Sequence, residues 1–275
     1  MQGASREALV SVRERLTAVR AELPGTGDTG GLGSIADGLL SVVRLLDREG
    51  SLRRTLGDPA LDAQAKQQLV DGLLGSQLEP LPLALLKDAA ARRWSSPRDL
   101  VDALEILAVT AVFLAAEADG SLDQAEDELF RFSRTVAREP ELRAVLTDRG
   151  LAPDRKQALL DGLLDGKVQA ATKRVVGELV VSPRGRTLED GLDDYADLAA
   201  EVRRRSLATV TTAVDLDDAQ RERLARSLSA QLGRSVQLQV EVDPSVLGGL
   251  VVHVGDEVID GSTRHRLVEA RRRLS

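Results

Sequence analysis

Apolar side chains recur every three or four positions through the first two hundred residues, and proline, glycine or a polar cluster closes each run. Leu9, Val12, Leu16, Val19 and Leu23 mark a helix over 4–23 that Pro24 closes. Residues 25–34 (GTGDTGGLGS) read as a loop, and Leu39, Leu40, Val43 and Leu46 mark a helix over 35–48. Shorter helices are predicted over 52–56, 62–74 and 81–94, with Asp62 as a cap and Pro80 and Pro82 confined to a first turn. The longest periodic segment, 97–118, is apolar over much of its circumference, which predicts burial between two bundles. The same period then returns over 122–137, 141–146, 153–164, 168–181 and 188–205.

From Ser206 onward the pattern alternates instead. Residues 206–214 (SLATVTTAV) are rich in β-branched side chains and predict a strand; Asp217 with Gln220 makes a capping box, and Leu224, Leu228 and Leu232 form the stripe of a helix ended by Gly233. Val236, Leu238, Val240 and Val242 then alternate with polar residues as a half-buried strand, which Asp243-Pro244 stops. A strand over 246–254 follows, with Gly248-Gly249 inside it as a bulge or a close backbone approach. Gly255-Asp256 fits a two-residue hairpin turn, 257–259 return as a short strand, and Asp260-Gly261-Ser262 offers a turn and cap for a last helix carrying Leu267, Ala270 and Leu274.

The helical part repeats itself. Residues 52–74 align without a gap on 142–164, sharing Leu52/Leu142, Leu56/Leu146, Asp58/Asp148, Leu61/Leu151, Lys66/Lys156 and the run Asp-Gly-Leu-Leu. Ser96-Pro97-Arg98 echoes Ser182-Pro183-Arg184, each expected to open a helix, so the duplication covers most of a six-helix unit. The fold predicted is mainly α: two tandem helical bundles, 1–100 and 101–205, followed by a small α+β C-terminal domain over 206–275.

Composition narrows the function classes. Aromatic residues are 2% of the 275, so the core must rest on aliphatic side chains, which disfavours a stacked nucleotide or cofactor. A net charge of −7 argues against nucleic acid as a partner, and Arg203-Arg204-Arg205 and Arg271-Arg272-Arg273 read as helix-end cations. There is no cysteine, the first residues carry no apolar run of a signal or anchor, and no uninterrupted apolar stretch approaches the roughly 20 residues of a spanning helix. No cofactor or metal is expected. Residues 25–30 match GxGxxG but follow a helix rather than a strand, so they read as linker. Residues 119–128 lack the alternating ligands of a calcium loop and read as a helix-to-helix turn. His253 and His265 make neither a zinc site nor a triad, and Asp193-Asp194 and Asp217-Asp218 are adjacent rather than facing carboxylates. What remains is surface for partners, and a helical scaffold is the alternative reading to any specific assembly.

The C-terminal segment resembles a known family. Val236, Leu238, Val242-Asp243, Val246, Gly248-Gly249-Leu250, Val252-His253 and Gly255-Asp256, then Val258-Ile259-Asp260-Gly261-Ser262, Arg264, Arg266 and Leu267, stand in the order and spacing of the delta subunit of bacterial F-type ATP synthase, the homologue of the oligomycin-sensitivity-conferring protein. The resemblance implies a six-helix bundle before this segment, and 101–205 stand in its place; residues 1–100 depart from the family as an added duplicate. It further implies a non-catalytic stator part at the cytoplasmic face of the plasma membrane, held there through the complex without inserting itself. The implied partners are the N-terminal helices of alpha subunits, on the bundle, and the b-type peripheral stalk subunits, on the C-terminal domain. In the family the alpha helix lies in a groove between the first and fifth bundle helices, here 104–118 and 168–181. Val112 and Ala115 on the one and Val175, Val176, Leu179 and Val180 on the other are the candidate contacts. These side chains exceed one bundle-facing stripe, and filling the bundle's own core is an equal reading of each.

Overall fold

A computed structural model of the chain describes residues 1, 3–23, 29–232, 236–243, 248–254 and 257–260. The chain divides into two compact units, Met1–Ala200 and Glu201–Ser275. The first unit is helical: α1 (Ala4–Glu22), α2 (Thr29–Arg48), α3 (Gly50–Gly57), α4 (Ala63–Leu74), α5 (Pro80–Ala91), α6 (Pro97–Ala118), α7 (Leu122–Arg138), α8 (Pro140–Thr147), α9 (Pro153–Leu164), α10 (Ala170–Val181) and most of α11 (Leu188–Ser206).

The duplication is visible as geometry. α3, α4 and α5 recur as α8, α9 and α10 with equal lengths and at one constant spacing along the chain. Asp58 and Asp148 make the same turn, each accepting from the backbone N–H two residues on at 2.8 Å. Leu56, Leu146, Val70 and Leu160 occupy matched core positions. Lys66 and Lys156 are both buried among them. α6 belongs to both series. It is the last helix of the first series, packed by α1, α2, α3 and α5, and the first helix of the second, packed by α7 and α10. Twelve of its 22 residues are buried, which is why its sequence is apolar on nearly every side.

Three expectations give way here. Residues 29–34 are not loop but the first turns of α2, because Leu32 continues the buried stripe of Ile35, Leu39, Val43 and Leu46. That burial outweighs the cost of roughly 1 kcal/mol per helical glycine, and at Gly38 the missing side chain is required: a Cβ there would lie 2.5 Å from Pro82 Cβ on α5. The 25–28 part of the loop lies outside the described residues. α2 is also long and apolar enough to cross a membrane by length and composition, yet its apolar stripe is buried within the bundle. α5 stops at Ala91 rather than running to 94, and Trp94 folds back to donate its indole N–H to Ala89 O at 2.8 Å. Ser182-Pro183-Arg184 does not open a helix as Ser96 does. Ser96 caps α6, whereas Ser182 caps the C-terminus of α10, Arg184 takes φ 55°, and Thr187 is the residue that caps α11, through Asp190 N at 3.0 Å.

In the second unit, β1 (Leu207–Thr212), α12 (Asp218–Leu232), β2 (Gln237–Val242), β3 (Leu250–Val254) and β4 (Glu257–Asp260) form a sheet of order β2-β1-β3-β4. β1 and β2 are parallel, joined by the α12 crossover; β3 runs antiparallel to β1, and β4 to β3. The capping box is present, Asp217 N to Gln220 Oε1 at 2.9 Å and Gln220 N to Asp217 Oδ1 at 2.7 Å. Ala208, Val210, Val252 and Val254 pack with Leu228 of α12 and Val236 as the core. Gly248 and Gly249 precede β3 rather than interrupting it. Both have left-handed backbone, φ 71° and 80°, which turns the chain into the strand and explains why side chains are absent there.

Candidate functional site

The six residues proposed from sequence as a head-binding surface are for the most part interior. Val112, Val175, Val176, Leu179 and Val180 are buried, Val112 the least so at 4% exposed, and Ala115 is half-buried. α2 accounts for part of this cover. Arg44 of α2 reaches Glu178 of α10 at 2.6 Å, and Arg174 of α10 pairs with Asp37 of α2, so ion pairs from the first series close over the α10 face.

The structure leaves an open groove elsewhere on α10. It holds about 720 Å³ and is bordered by Leu179, Val180, Val181, Leu146 of α8, Leu151 and Leu188, of which Val181 and Leu151 are half-buried and the other four buried. Thus two of the six candidates, Leu179 and Val180, line it and the other four do not. Its polar lining is mostly cationic: Arg143, Arg149, Lys156 and Arg186 against Glu189. Arg143 bridges to Glu189 at 3.2 Å, tying α8 to the start of α11.

Behind the groove lies a buried polar network that sequence reading did not single out. Glu105 of α6 accepts from Arg184 Nη1 at 2.7 Å, from Tyr195 Oη at 2.7 Å and from Arg186. Arg184 also pairs with Asp102, and its Nε lies 3.1 Å from Asp47 of α2. The Arg186 guanidinium stands 5.6 Å from the Tyr195 ring centroid. Burial and the neighbouring Glu105 push the Tyr195 hydroxyl well above its ordinary range, so it stays a donor. Burial raises the Asp102 carboxyl and Arg184 opposes it. Since every oxygen of Glu105 faces a cation or a hydroxyl, this cluster fastens α6, α11 and the intervening loop; it is not arranged as an acid/base pair. The only sequence signal for it was the Ser-Pro-Arg echo, whose arginine here holds the left-handed turn.

Of the C-terminal motif, Val242 ends β2 and is exposed, and Asp243 N donates to Thr212 O at 2.8 Å, extending the β1–β2 pairing by one residue. Asp260 pairs with Val251 at the end of β4, and Gly248 and Gly249 turn into β3. Val254 opposite Glu257 leaves Gly255-Asp256 as the two-residue connection. Gly255, Asp256, Gly261, Arg264, Arg266 and Leu267, with the last helix, lie outside the described residues.

Comparison with known proteins decides what these surfaces belong to. The family model for the ATP synthase delta (OSCP) subunit matches residues 109–274. Relatives match end to end: "ATP synthase subunit delta" of Streptomyces coelicolor is 49% identical over 276 residues, covering 100% of this chain and 98% of that one. The protein of the same name from Thermobifida fusca is 46% identical, covering 100% of both. The chain belongs to the ATP synthase delta (OSCP) family. A chain of the Toxoplasma gondii mitochondrial ATP synthase hexamer also matches, with TM-score 0.29 and 19% identity over 60% of this chain and 94% of that one, and carries no weight here. The delta family match starts at residue 109, inside the shared helix α6, so it takes in the second helical series and the sheet. The first series falls outside that match but inside the full-length relatives. An unrelated helical scaffold is therefore set aside.

Proposed function

We propose that this chain is the non-catalytic stator subunit that ties the catalytic head of an F-type ATP synthase to its peripheral stalk. The observation that carries the reading is the 49% identity across all of the chain to a protein named ATP synthase subunit delta. Two finer assignments go with it. The helical part, taken as an accessory bundle over 1–100 and a delta-type bundle over 101–205, meets N-terminal helices of alpha subunits. The domain over 206–275 meets the b-type stalk subunits, which holds the chain at the cytoplasmic face of the plasma membrane.

Such a part needs stiffness and slow dissociation. A helical unit whose two series share one buried helix resists shear within itself, and two modest contacts on one chain raise each other's effective concentration. The test is calorimetric titration of the full chain with the N-terminal peptide of the alpha subunit and, separately, with the C-terminal segment of the b subunit of the same organism. Micromolar or tighter binding of both, about −8 kcal/mol each, is expected. Failure of both overturns the assignment.

A further inference from the structure

We infer that the seam between α2 and α10 is an electrostatic clasp, which locks the two helical series at one angle about their shared helix and lets that angle open as salt rises. The inference concerns the chain's own conformation and does not depend on the stator reading.

Three observations meet in it. The first is what crosses the seam. α2 packs closely on α3, α5 and α6, and α10 on α6, α7 and α9, but among the described residues α2 and α10 are not a closely packed pair. A cleft of about 490 Å³ lies between α2, α9 and α10. Long charged side chains bridge the seam: Asp37 to Arg174, Arg44 Nη1 to Glu178 Oε2 at 2.6 Å, and Asp47 Oδ2 to Arg184 Nε at 3.1 Å.

The second is the order of the charges. Partner numbers rise together along the two sides, and the sign alternates: acid, base, acid on α2 against base, acid, base on α10 and the turn after it. Displacing one side by one pair would set Arg44 against a second arginine and Glu178 against a second carboxylate. Like charges in contact repel, so the pattern favours one mutual placement.

The third comes from the duplication. At the spacing of the repeat, Asp37 and Arg44 fall on Asp127 and Arg134 of α7, just as the buried Leu32, Ile35 and Leu39 fall on the buried Leu122, Ala125 and Leu129. On α7 these charges are exposed and settled within the helix: Asp127 pairs with Arg131, and Arg134 lies 5.6 Å over the Phe130 ring. The α2 copies have the second series beside them, and there they reach across to it. Arg174 and Glu178 in turn correspond to Ala84 and Asp88 of α5, the latter paired with Arg92 of the segment that follows. The charges across the seam thus belong to the joining of the two series and not to either bundle as such.

Pairs with an exposed member contribute little each and are screened by salt, whereas packed apolar contact is not. The Arg44 side chain is 43% exposed and that of Asp37 78%, while α6 stays buried in both series. Opening therefore pivots on α6 and leaves each series folded. In a stator part this joint would yield before either bundle does.

The chain has no cysteine, so spin labels can be placed through Gln68→Cys on α4 and Ala158→Cys on α9, exposed and equivalent positions of the two series. α4 packs on α5 and α9 on α10, so each label follows its own series. Pulsed electron spin resonance reads the distance between them in the full chain. Between about 0.1 M and about 1 M sodium chloride the screening length falls from about 10 Å to about 3 Å. A second, longer distance is expected to appear over that range, with the closed-to-open ratio falling at least about fivefold. Arg44→Glu sets a second carboxylate against Glu178 and is expected to populate the longer distance already at low salt. Arg44→Glu together with Glu178→Arg is expected to restore the shorter one, which loss of packing alone would not allow. Arg134→Glu, at the equivalent place on α7, serves as control and is expected to leave the distance as in the parent. Circular dichroism at each salt concentration establishes the helix content. One distance, unchanged by salt in the parent and by Arg44→Glu, overturns the clasp. So does a longer distance that appears only with loss of helix, since that is unfolding and not the opening of a seam. Opening in salt without rescue by Glu178→Arg assigns the seam to other contacts and overturns it as well. If Arg44→Glu does not fold, the salt series on the parent decides.

Discussion

Glu178 is the buried carboxylate least well compensated among the described residues. Its Oε2 receives Arg44 at 2.6 Å, while Oε1 has no hydrogen-bond partner. Burial raises its pKa above the ordinary 4.5, and the partly exposed Arg44 guanidinium only partly opposes this. A carboxyl raised on folding binds more protons in the folded chain, so its contribution is full below the ordinary value and is lost as pH rises through the folded one. Glu178→Gln should therefore melt with the parent near pH 4.5 and be more stable by about 1 kcal/mol at pH 7; thermal melts at the two values check this, and a gap that shrinks with rising pH would refute it. Arg184 has the opposite weight. Arg184→Ala leaves the left-handed backbone in place but removes cationic partners from Glu105 and Asp102, and a loss of about 3 kcal/mol in urea unfolding is expected. No pattern in the sequence announced Glu178, and the Ser-Pro-Arg echo marked Arg184 without its role, because their importance comes from partners at least 79 positions away.

Element by element, helical periodicity was sufficient for the boundaries, and it failed where a tertiary contact overruled a local signal. Glycines at 30, 31 and 33 looked like loop, yet α2 runs through them because its stripe is covered in the bundle. The two glycines that separate these causes make a direct test. Gly72 on α4 has nothing within 4 Å of the place a Cβ would take, so Gly72→Ala should gain up to about 1 kcal/mol of helix propensity. Gly38→Ala would gain the same propensity but meet the Pro82 ring, and overpacking of about 1–3 kcal/mol should make it net destabilising. Urea midpoints moving in opposite directions would confirm that α2 and α5 touch through Gly38. The β signals were equally local: the capping box and the two-residue hairpin connection were readable, whereas the sheet order was not, since strand pairing depends on the α12 crossover and not on any one strand. The candidate surface was legible only in part. The repeat drew attention to Lys66 and Lys156, but an excess of apolar residues on α10 could not distinguish core from groove, and the structure assigns most of them to core.

For the molecule as a whole, the duplication was legible, and so was the burial of the long helix over 97–118 between its two halves. Read along the chain, two bundles suggest that the first could be removed at about residue 100; in the fold, α6 is buried by both series, and Met1–Ala200 form one compact unit. A chain starting at 101 would expose the α6 face that α1, α2, α3 and α5 cover, including side chains among Leu104, Leu107 and Val109. Exposing several aliphatic side chains at about 1.5–3 kcal/mol each removes more than the usual 5–15 kcal/mol of a domain's stability can spare. Residues 101–275 expressed alone should therefore bind hydrophobic dyes or associate, and amide exchange of α6 should lose its protection, while the sheet, whose core of Val210, Leu228 and Val252 is its own, keeps its protected amides. A stable, well-protected α6 in the shortened chain would mean that the second series folds alone and that the first is a detachable addition. Loss of head binding on shortening would then report a contact made by the first series; with α6 unprotected, the same loss reports only an unfolded bundle, so the exchange measurement has to precede the binding one.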